Sequence, residues 1–240
     1  MRAACIQLYV EPCGREENLR RALELARSAI GRGAEILVYP ELFLTGFCYA
    51  TEADDAVPYP SLEPFRALAR EHSCLIAGSI RSGRQNLGFC LDSESLDLRP
   101  KIHPFGVEKE HFDGGDFISP VATPWGMAGL EVCYDLRFPE VARALALKGA
   151  DFLITVAQFP ASRIEQWRVL CIARAIENQI PHLACNYSEG GTSIIVDAGG
   201  GVQAEAGPGE TVIFGEIDLE ERDAVRHSLP CLSDRRPEVY

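Results

Sequence analysis

Hydrophobic positions along this chain recur with two periods. Short apolar runs rich in β-branched residues near 2 to 10, 34 to 39, 74 to 80, 86 to 92, 117 to 122, 127 to 132, 151 to 157, 181 to 186, 192 to 197 and 211 to 217 predict strands. Between several of them apolar residues lie three and four apart, predicting helices over 15 to 30, 62 to 72, 138 to 148 and 162 to 179. Gly31 and Gly33, Gly149 and Pro181 punctuate the ends of three of these. Strands alternating with helices in the first and third quarters predict parallel βαβ units, whereas 117 to 132 and 192 to 217 predict hairpins. Gly199-Gly200-Gly201 falls between two strand signals and reads as a turn, because no helix start follows it to cradle a phosphate. The expected product is a layered α/β sandwich with mixed sheets, built as one domain over residues 1–240.

Charge narrows the partners. Thirty-five acidic against 23 basic residues give a formal net charge of -12, which repels phosphate backbones and anionic membrane faces. Neither nucleic acid nor a membrane is expected, and no apolar run approaches the roughly 20 residues of a membrane helix. The first residues enter a strand-like run at once, without the pattern of a secretory leader. Nine cysteines, an odd number with no C-x-x-C pair, predict a reduced, cytoplasmic chain. The five histidines neither pair at helical spacing nor stand beside paired cysteines, so no metal and no cofactor is expected.

One stretch stands out chemically. The run Cys133-Tyr134-Asp135-Leu136-Arg137-Phe138-Pro139-Glu140 sets a thiol where an apolar strand stops and a helix begins. That is the carboxyl end of a strand, the usual mouth of an α/β site. Glu41 follows the apolar run ending at Tyr39-Pro40, and Lys101 follows the short run Leu96 to Pro100. Thiol, carboxylate and ammonium together make an acyl-transfer set: nucleophile, proton carrier and partner for a developing oxyanion. A Cys-His pair would require His103 or His182 to reach Cys133 with no local motif in support, and no G-x-S-x-G elbow offers a serine instead.

The chain as a whole resembles the nitrilase superfamily of carbon-nitrogen hydrolases. The resemblance rests on ordered motifs: Tyr39-Pro40-Glu41 with Thr45-Gly46-Phe47, Lys101-Ile102-His103, Glu108 with Phe112, Gly115 and Asp116, the run 133 to 140, the run 173 to 179, and Gly191 to Asp197. The run 173 to 179 and Arg235-Arg236-Pro237 look most like the amidase branch that includes omega-amidases. The resemblance implies a four-layer α-β-β-α sandwich and a small-molecule amide substrate. It also implies that Cys133 attacks the carbonyl, that Glu41 is base and then acid, that Lys101 meets the oxyanion, and that Glu108 holds the lysine. Glu110 competes with Glu108 on sequence alone, and the spacing to Phe112 and Gly115 favours Glu108. The Tyr134 backbone N–H would be a second oxyanion donor. Asp135 and Arg137 are expected to hold the elbow, through a buried ion pair or backbone hydrogen bonds. In such enzymes the helix carrying Trp167, Leu170, Ile172, Ala173 and Ile176 also builds a dimer interface, which implies a homodimer or higher oligomer.

Departures from the family's pattern concern specificity. Only Tyr187, Ser188, Glu189 and Gly190 stand between Asn186 and Gly191, where relatives commonly carry a longer loop. Pro104 follows His103 where leucine is usual, and the segment from Lys101 to Glu108 is short. A small ω-amide of a dicarboxylic or keto acid is the first expectation for substrate. Nitriles and N-carbamoyl amino acids would use the same four residues, and a silent scaffold remains the alternative from another class.

Overall fold

The computed structural model describes residues 1–50 and 54–239. In chain order its strands are β1 (Arg2–Gln7), β2 (Ile36–Val38), β3 (Leu75–Ser82), β4 (Gln85–Leu91), β5 (Leu96–Pro100), β6 (Val121–Thr123), β7 (Gly126–Val132), β8 (Phe152–Val156), β9 (His182–Cys185), β10 (Ile194–Val196), β11 (Val202–Glu205) and β12 (Thr211–Glu216). The helices are α1 (Arg15–Gly31), α2 (Glu63–His72), α3 (Glu108–His111), α4 (Pro139–Leu147), α5 (Ile164–Asn178) and α6 (Leu219–Ser228).

Two six-stranded sheets form, in the orders β12-β1-β2-β3-β4-β5 and β11-β10-β9-β8-β7-β6. Each is parallel at its centre, through β1-β2-β3 and β7-β8-β9, and antiparallel toward its edges. Strand alternation explains the layering. Ala3, Cys5, Ile36, Val38, Leu75 and Ala77 face the second sheet, while their neighbours Ala4, Ile6, Leu37 and Ile76 face α1 and α2 through Ala22, Ala26, Phe65 and Leu68. The second sheet repeats this, with Ile154 and Val156 turned inward and Leu153 against Val141 and Leu145 of α4. The result is the expected α-β-β-α sandwich. The sheets approach closely enough that a Cβ on Gly88 would lie 2.9 Å from Leu130 Cδ2, so any side chain there would force Leu130 to shift.

Three expectations need correction. The segment 192 to 217 is not one hairpin: β10 pairs with β11, but β12 leaves for the other sheet and pairs antiparallel with β1. Its alternation drives the crossover, since Ile213 packs between the sheets while Val212 and Phe214 pack with the first sheet's outer core. The strand expected over 117 to 122 begins only at Val121, just after Pro120, which has no N–H for a ladder. Finally, the chain is not fully reduced. Cys13 and Cys48 form a disulfide across 35 residues, and the Cys13 amide donates to Thr45 O at 2.9 Å beside it. The remaining seven cysteines are free thiols, six of them buried. Sequence spacing gave no sign of the pairing because the two segments meet only through the fold.

Among the described residues no helix is long and apolar enough to cross a membrane. The disulfide closes the loop that carries Glu41 and Phe47. Its loss by Cys48→Ser or by reductant is expected to lower unfolding stability by about 2–4 kcal/mol. Denaturant midpoints measured with and without reductant check this, and an unchanged midpoint would contradict it.

Candidate active site

Four side chains meet where strands of both sheets end. Glu41 follows β2, Lys101 follows β5, Glu108 opens α3, and Cys133 is the first residue of a 3₁₀ turn, Cys133–Arg137, directly after β7. All four are buried. Local geometry aims them. Leu42 (φ 45) turns the chain sharply after Glu41, and its N–H donates to Ser79 Oγ at 2.8 Å. Cys133 itself has φ 50, a left-handed conformation that costs an L-residue about 1 kcal/mol or more.

Asp135 holds that conformation. Its carboxylate accepts from the N–H groups of Val132 (3.2 Å), Ile102 (3.2 Å) and His103 (2.9 Å), and pairs with His103 Nδ1 at 2.9 Å. One side chain thereby ties the nucleophile turn to the segment that follows Lys101. From behind, the buried Arg174 donates from Nε and Nη2 to Leu136 O at 3.0 and 2.7 Å. Asp135 therefore holds the elbow through backbone hydrogen bonds. Arg137 does not. It makes no ion pair with Asp135, lies over the Phe159 ring at 4.9 Å, and donates to Gln166 Oε1 at 2.9 Å.

Lys101 is the hub. Its Nζ donates to Glu41 Oε1 and to Glu108 Oε2, each at 2.7 Å. Burial pulls the ammonium's pKa down, but the charges of Glu41, the neighbouring thiol and Glu108 together outweigh it and hold the lysine above its ordinary value. Glu108 is pushed up to about 7, first by burial and then by the charge of Glu41, against the pull of Lys101. The Cys133 thiol is pushed well above its ordinary value by burial, then by the charge of Glu41, against the pull of Lys101. Glu110 is exposed whereas Glu108 is buried on the lysine, which decides between the two.

Several contributors were not visible in the sequence. Asn86 Nδ2 donates to Glu41 Oε1 at 2.8 Å, and the Gln158 N–H donates to Glu41 Oε2 at 3.2 Å. A cavity of about 210 Å³ opens beyond Cys133 and Glu108. Phe47, Phe105, Tyr134, Phe159 and Pro160 supply its apolar wall, and Gln158, Arg137 and Arg163 its polar groups. Arg163 lies over Phe105 at 5.2 Å. Neither Arg137 nor Arg163 pairs with a carboxylate among the described residues. The short loop after Asn186 abuts this wall. Asn186 Oδ1 accepts from Phe159 N at 2.7 Å, its Nδ2 donates to Phe159 O at 3.0 Å, and a Cβ on Gly190 would fall 2.0 Å from that same oxygen.

Neither candidate histidine partners the thiol. The His103 ring is held by Asp135 and stacks on Phe138 at 3.7 Å. His182 is buried on β9, where Nδ1 meets Cys171 O at 3.0 Å and Nε2 meets Thr155 Oγ1 at 2.7 Å. Thr155 also reaches Glu131 Oε2 at 3.0 Å. Because a carbonyl needs a donor, Nδ1 carries the His182 proton, leaving Nε2 to accept from Thr155. The row would also be filled by an imidazolium donating to Thr155 and Thr155 donating to a Glu131 carboxylate, which would bury two charges; with a neutral His182, Thr155 instead accepts from a protonated Glu131. Burial pushes them that way, Glu131 up to about 8 and His182 down to about 4.

A buried thiol in the electrostatic reach of a carboxylate, with a fixed ammonium alongside and an apolar cavity in front, is the equipment of an acyl-transfer hydrolase. The chain belongs to the carbon-nitrogen hydrolase family, whose model matches residues 2–227. It is 33% identical to a 2-oxoglutaramate amidase of Bacillus subtilis (strain 168), over 99% of this chain and 98% of that one. It is 32% identical to omega-amidase NIT2 of Mus musculus, over 100% of this chain and 96% of that one. The crystal structure of Nit3 from Saccharomyces cerevisiae, a member of branch 10 of the nitrilase superfamily, superposes with a TM-score of 0.90 at 28% identity, covering 98% and 96% of the two chains.

The Glu131 row generates a pH test. Folded Glu131 keeps its proton up to about 8, whereas the ordinary glutamate value is 4.5. The folded state therefore binds more protons across that window, and stability falls as pH rises through it, by on the order of a few kcal/mol. Glu131→Gln is expected to flatten this loss, read as urea midpoints at pH 5 and pH 8.5. A variant whose midpoints fall as steeply as wild type would refute the assignment.

Proposed function

We propose that this enzyme hydrolyses the terminal amide of a small dicarboxylic or keto acid through a thioester on Cys133. Glu41 takes the thiol proton as sulfur attacks the amide carbonyl. The ammonium of Lys101 has three N–H donors, two of which are engaged by Glu41 and Glu108. The third, with the Tyr134 backbone N–H, meets the oxyanion of the tetrahedral intermediate. Glu41 returns the proton to the leaving nitrogen and ammonia departs. Water then loses a proton to Glu41 and attacks the thioester, releasing the acid and restoring the thiol.

The observation that carries the choice of substrate is the pair of guanidinium groups in the cavity wall, Arg137 and Arg163, neither of which has a carboxylate partner among the described residues. A substrate carboxylate suits them, as guanidinium matches carboxylate in a two-pronged fashion. The cavity's size sets a small acyl chain, since about 210 Å³ corresponds to roughly seven waters at about 30 Å³ each. The Bacillus subtilis 2-oxoglutaramate amidase and the Mus musculus omega-amidase, by their names, fit this substrate class. We further infer a homodimer through α5, which leaves Val169 and Ile176 exposed by 62% and 51%.

Wild type is expected to release ammonia from ω-amides and to show an acyl adduct by intact mass under rapid quench, and Cys133→Ala to do neither. Arg137→Leu and Arg163→Leu should each raise KM for the ω-amide roughly ten- to a hundredfold, the equivalent of about 1.5–3 kcal/mol for a charged hydrogen bond. Turnover of a neutral amide of similar length should be unaffected. Equal losses on both substrates would sink the carboxylate reading, and a preference for nitriles or N-carbamoyl amino acids would move the enzyme to another branch chemistry.

A further inference from the structure

Glu41 and Glu108 lie at the same 2.7 Å from one lysine, so Lys101 does not decide which carboxylate serves the thiol. The other donors do. Asn86 Nδ2 donates to Glu41 Oε1 at 2.8 Å and the Gln158 N–H to Glu41 Oε2 at 3.2 Å, so Glu41 gathers three donors on its two oxygens. Glu108's carboxylate has Lys101 as its side-chain donor.

Asn86 stands on β4 with only 1% of its surface exposed, in register with Arg81 of β3. Its backbone carbonyl accepts the Lys101 N–H at 2.9 Å. A single residue therefore fixes the start of the lysine segment through its main chain and the glutamate through its side chain. The amide's orientation is forced, because the flipped form would set a carbonyl oxygen against a carboxylate oxygen. Its Oδ1 is buried and has no partner among the described residues. A buried acceptor without a partner is a cost that an apolar residue would avoid, so the N–H bond to Glu41 is what the position retains.

We propose that Asn86 is a positioning residue that singles out Glu41 from Glu108 as the base for Cys133. It acts through Glu41 and touches neither substrate nor sulfur. Asn86 gives the Glu41 carboxylate a second side-chain donor where that of Glu108 has Lys101 alone, and so fixes the position of one of the two carboxylates that share the cation. The pull of burial and of Glu41's charge on Glu108, toward about 7, runs in the same direction. The titratable groups around this pair are Lys101 after β5, Cys133 on the elbow and Tyr49 on the loop after Glu41. This inference rests on the proposed thioester mechanism.

Asn86→Asp keeps the shape but loses the donors and adds a like charge, and Asn86→Ala removes the group. Both should lower kcat for the ω-amide about ten- to a hundredfold with KM changed less than threefold. The acid limb of kcat/KM against pH should move up by roughly one unit in Asn86→Ala and further in Asn86→Asp, as expected for a carboxylate that loses a donor. A wild-type rate, or a lost rate with the acid limb unmoved, would overturn the proposal. A second measurement needs no Asn86 variant. In the full chain the Asn86 side-chain NH2 resonance should shift with pH, and that shift should vanish in Glu41→Gln and persist in Glu108→Gln. The opposite pattern, or no shift in wild type, also overturns it. Activity surviving in Cys133→Ala would instead defeat the thioester mechanism itself, so the two failures are distinguishable.

Discussion

A buried ammonium is the constraint on which the site depends. Lys101 is 1% exposed and its charge is tolerated only because Glu41 and Glu108 each meet it at 2.7 Å. The opposing carboxylates over-compensate it by one charge. That surplus explains why Glu108 is held up near 7, with burial and the charge of Glu41 pressing on it. It also explains the state of the thiol. Cys133 sits away from water and beside this surplus, so it rests protonated. A nucleophile of this kind is uncovered at the moment of attack, by proton transfer to an adjacent base, rather than held as a standing thiolate.

Such an arrangement requires chain ends from both sheets to be placed to within a few tenths of an ångström, and the backbone shows the cost. Cys133 and Leu42 both adopt left-handed conformations within one residue of, or at, the groups that react. Each is over-determined by hydrogen bonds from elsewhere: Ser79 Oγ on Leu42, and Asp135 and Arg174 on the turn 133–137. Asp135 is the more telling of these. By holding Val132, Ile102 and His103 at once, it makes the distance between nucleophile and lysine a property of one short side chain rather than of two sheets.

Much of this was legible because the reactive residues interrupt apolar runs. Glu41, Lys101 and Cys133 stand directly after strands whose hydrophobic pattern announces where they end, and the alternation of the inner strands placed the four layers. What escaped the pattern has physical reasons. Asn86 and Gln158 are polar residues at strand edges, and their importance lies in which atom they face, information that period and composition do not carry. Helix α6 buries no residue and shows no apolar stripe; its start is marked by Asp218 capping the N–H groups of Glu220 and Glu221. Arg137 was read as an elbow support from its neighbours in sequence, but a 3₁₀ turn points residues two apart in different directions. The Cys13–Cys48 bond joins segments whose proximity exists only once β2 and α1 have packed.

The sign of the whole molecule and the sign of its cavity wall oppose each other. A net charge of -12 repels an anionic substrate at a distance, so long-range steering does not favour the carboxylates proposed here. At physiological ionic strength that repulsion is screened beyond about 8 Å, whereas a guanidinium in contact with a carboxylate is not. For the proposed substrate, discrimination then falls to the last few ångströms, where the Arg137 and Arg163 guanidinium carbons lie 4.9 and 5.2 Å from the ring centres of Phe159 and Phe105. The rings limit the freedom each arginine has to lose on binding. Asn186 then couples that wall to the loop 187–190 through both the N–H and the carbonyl of Phe159. The residue that opens the loop 187–190 thereby holds the backbone of Phe159, whose ring lies 4.9 Å from the Arg137 guanidinium.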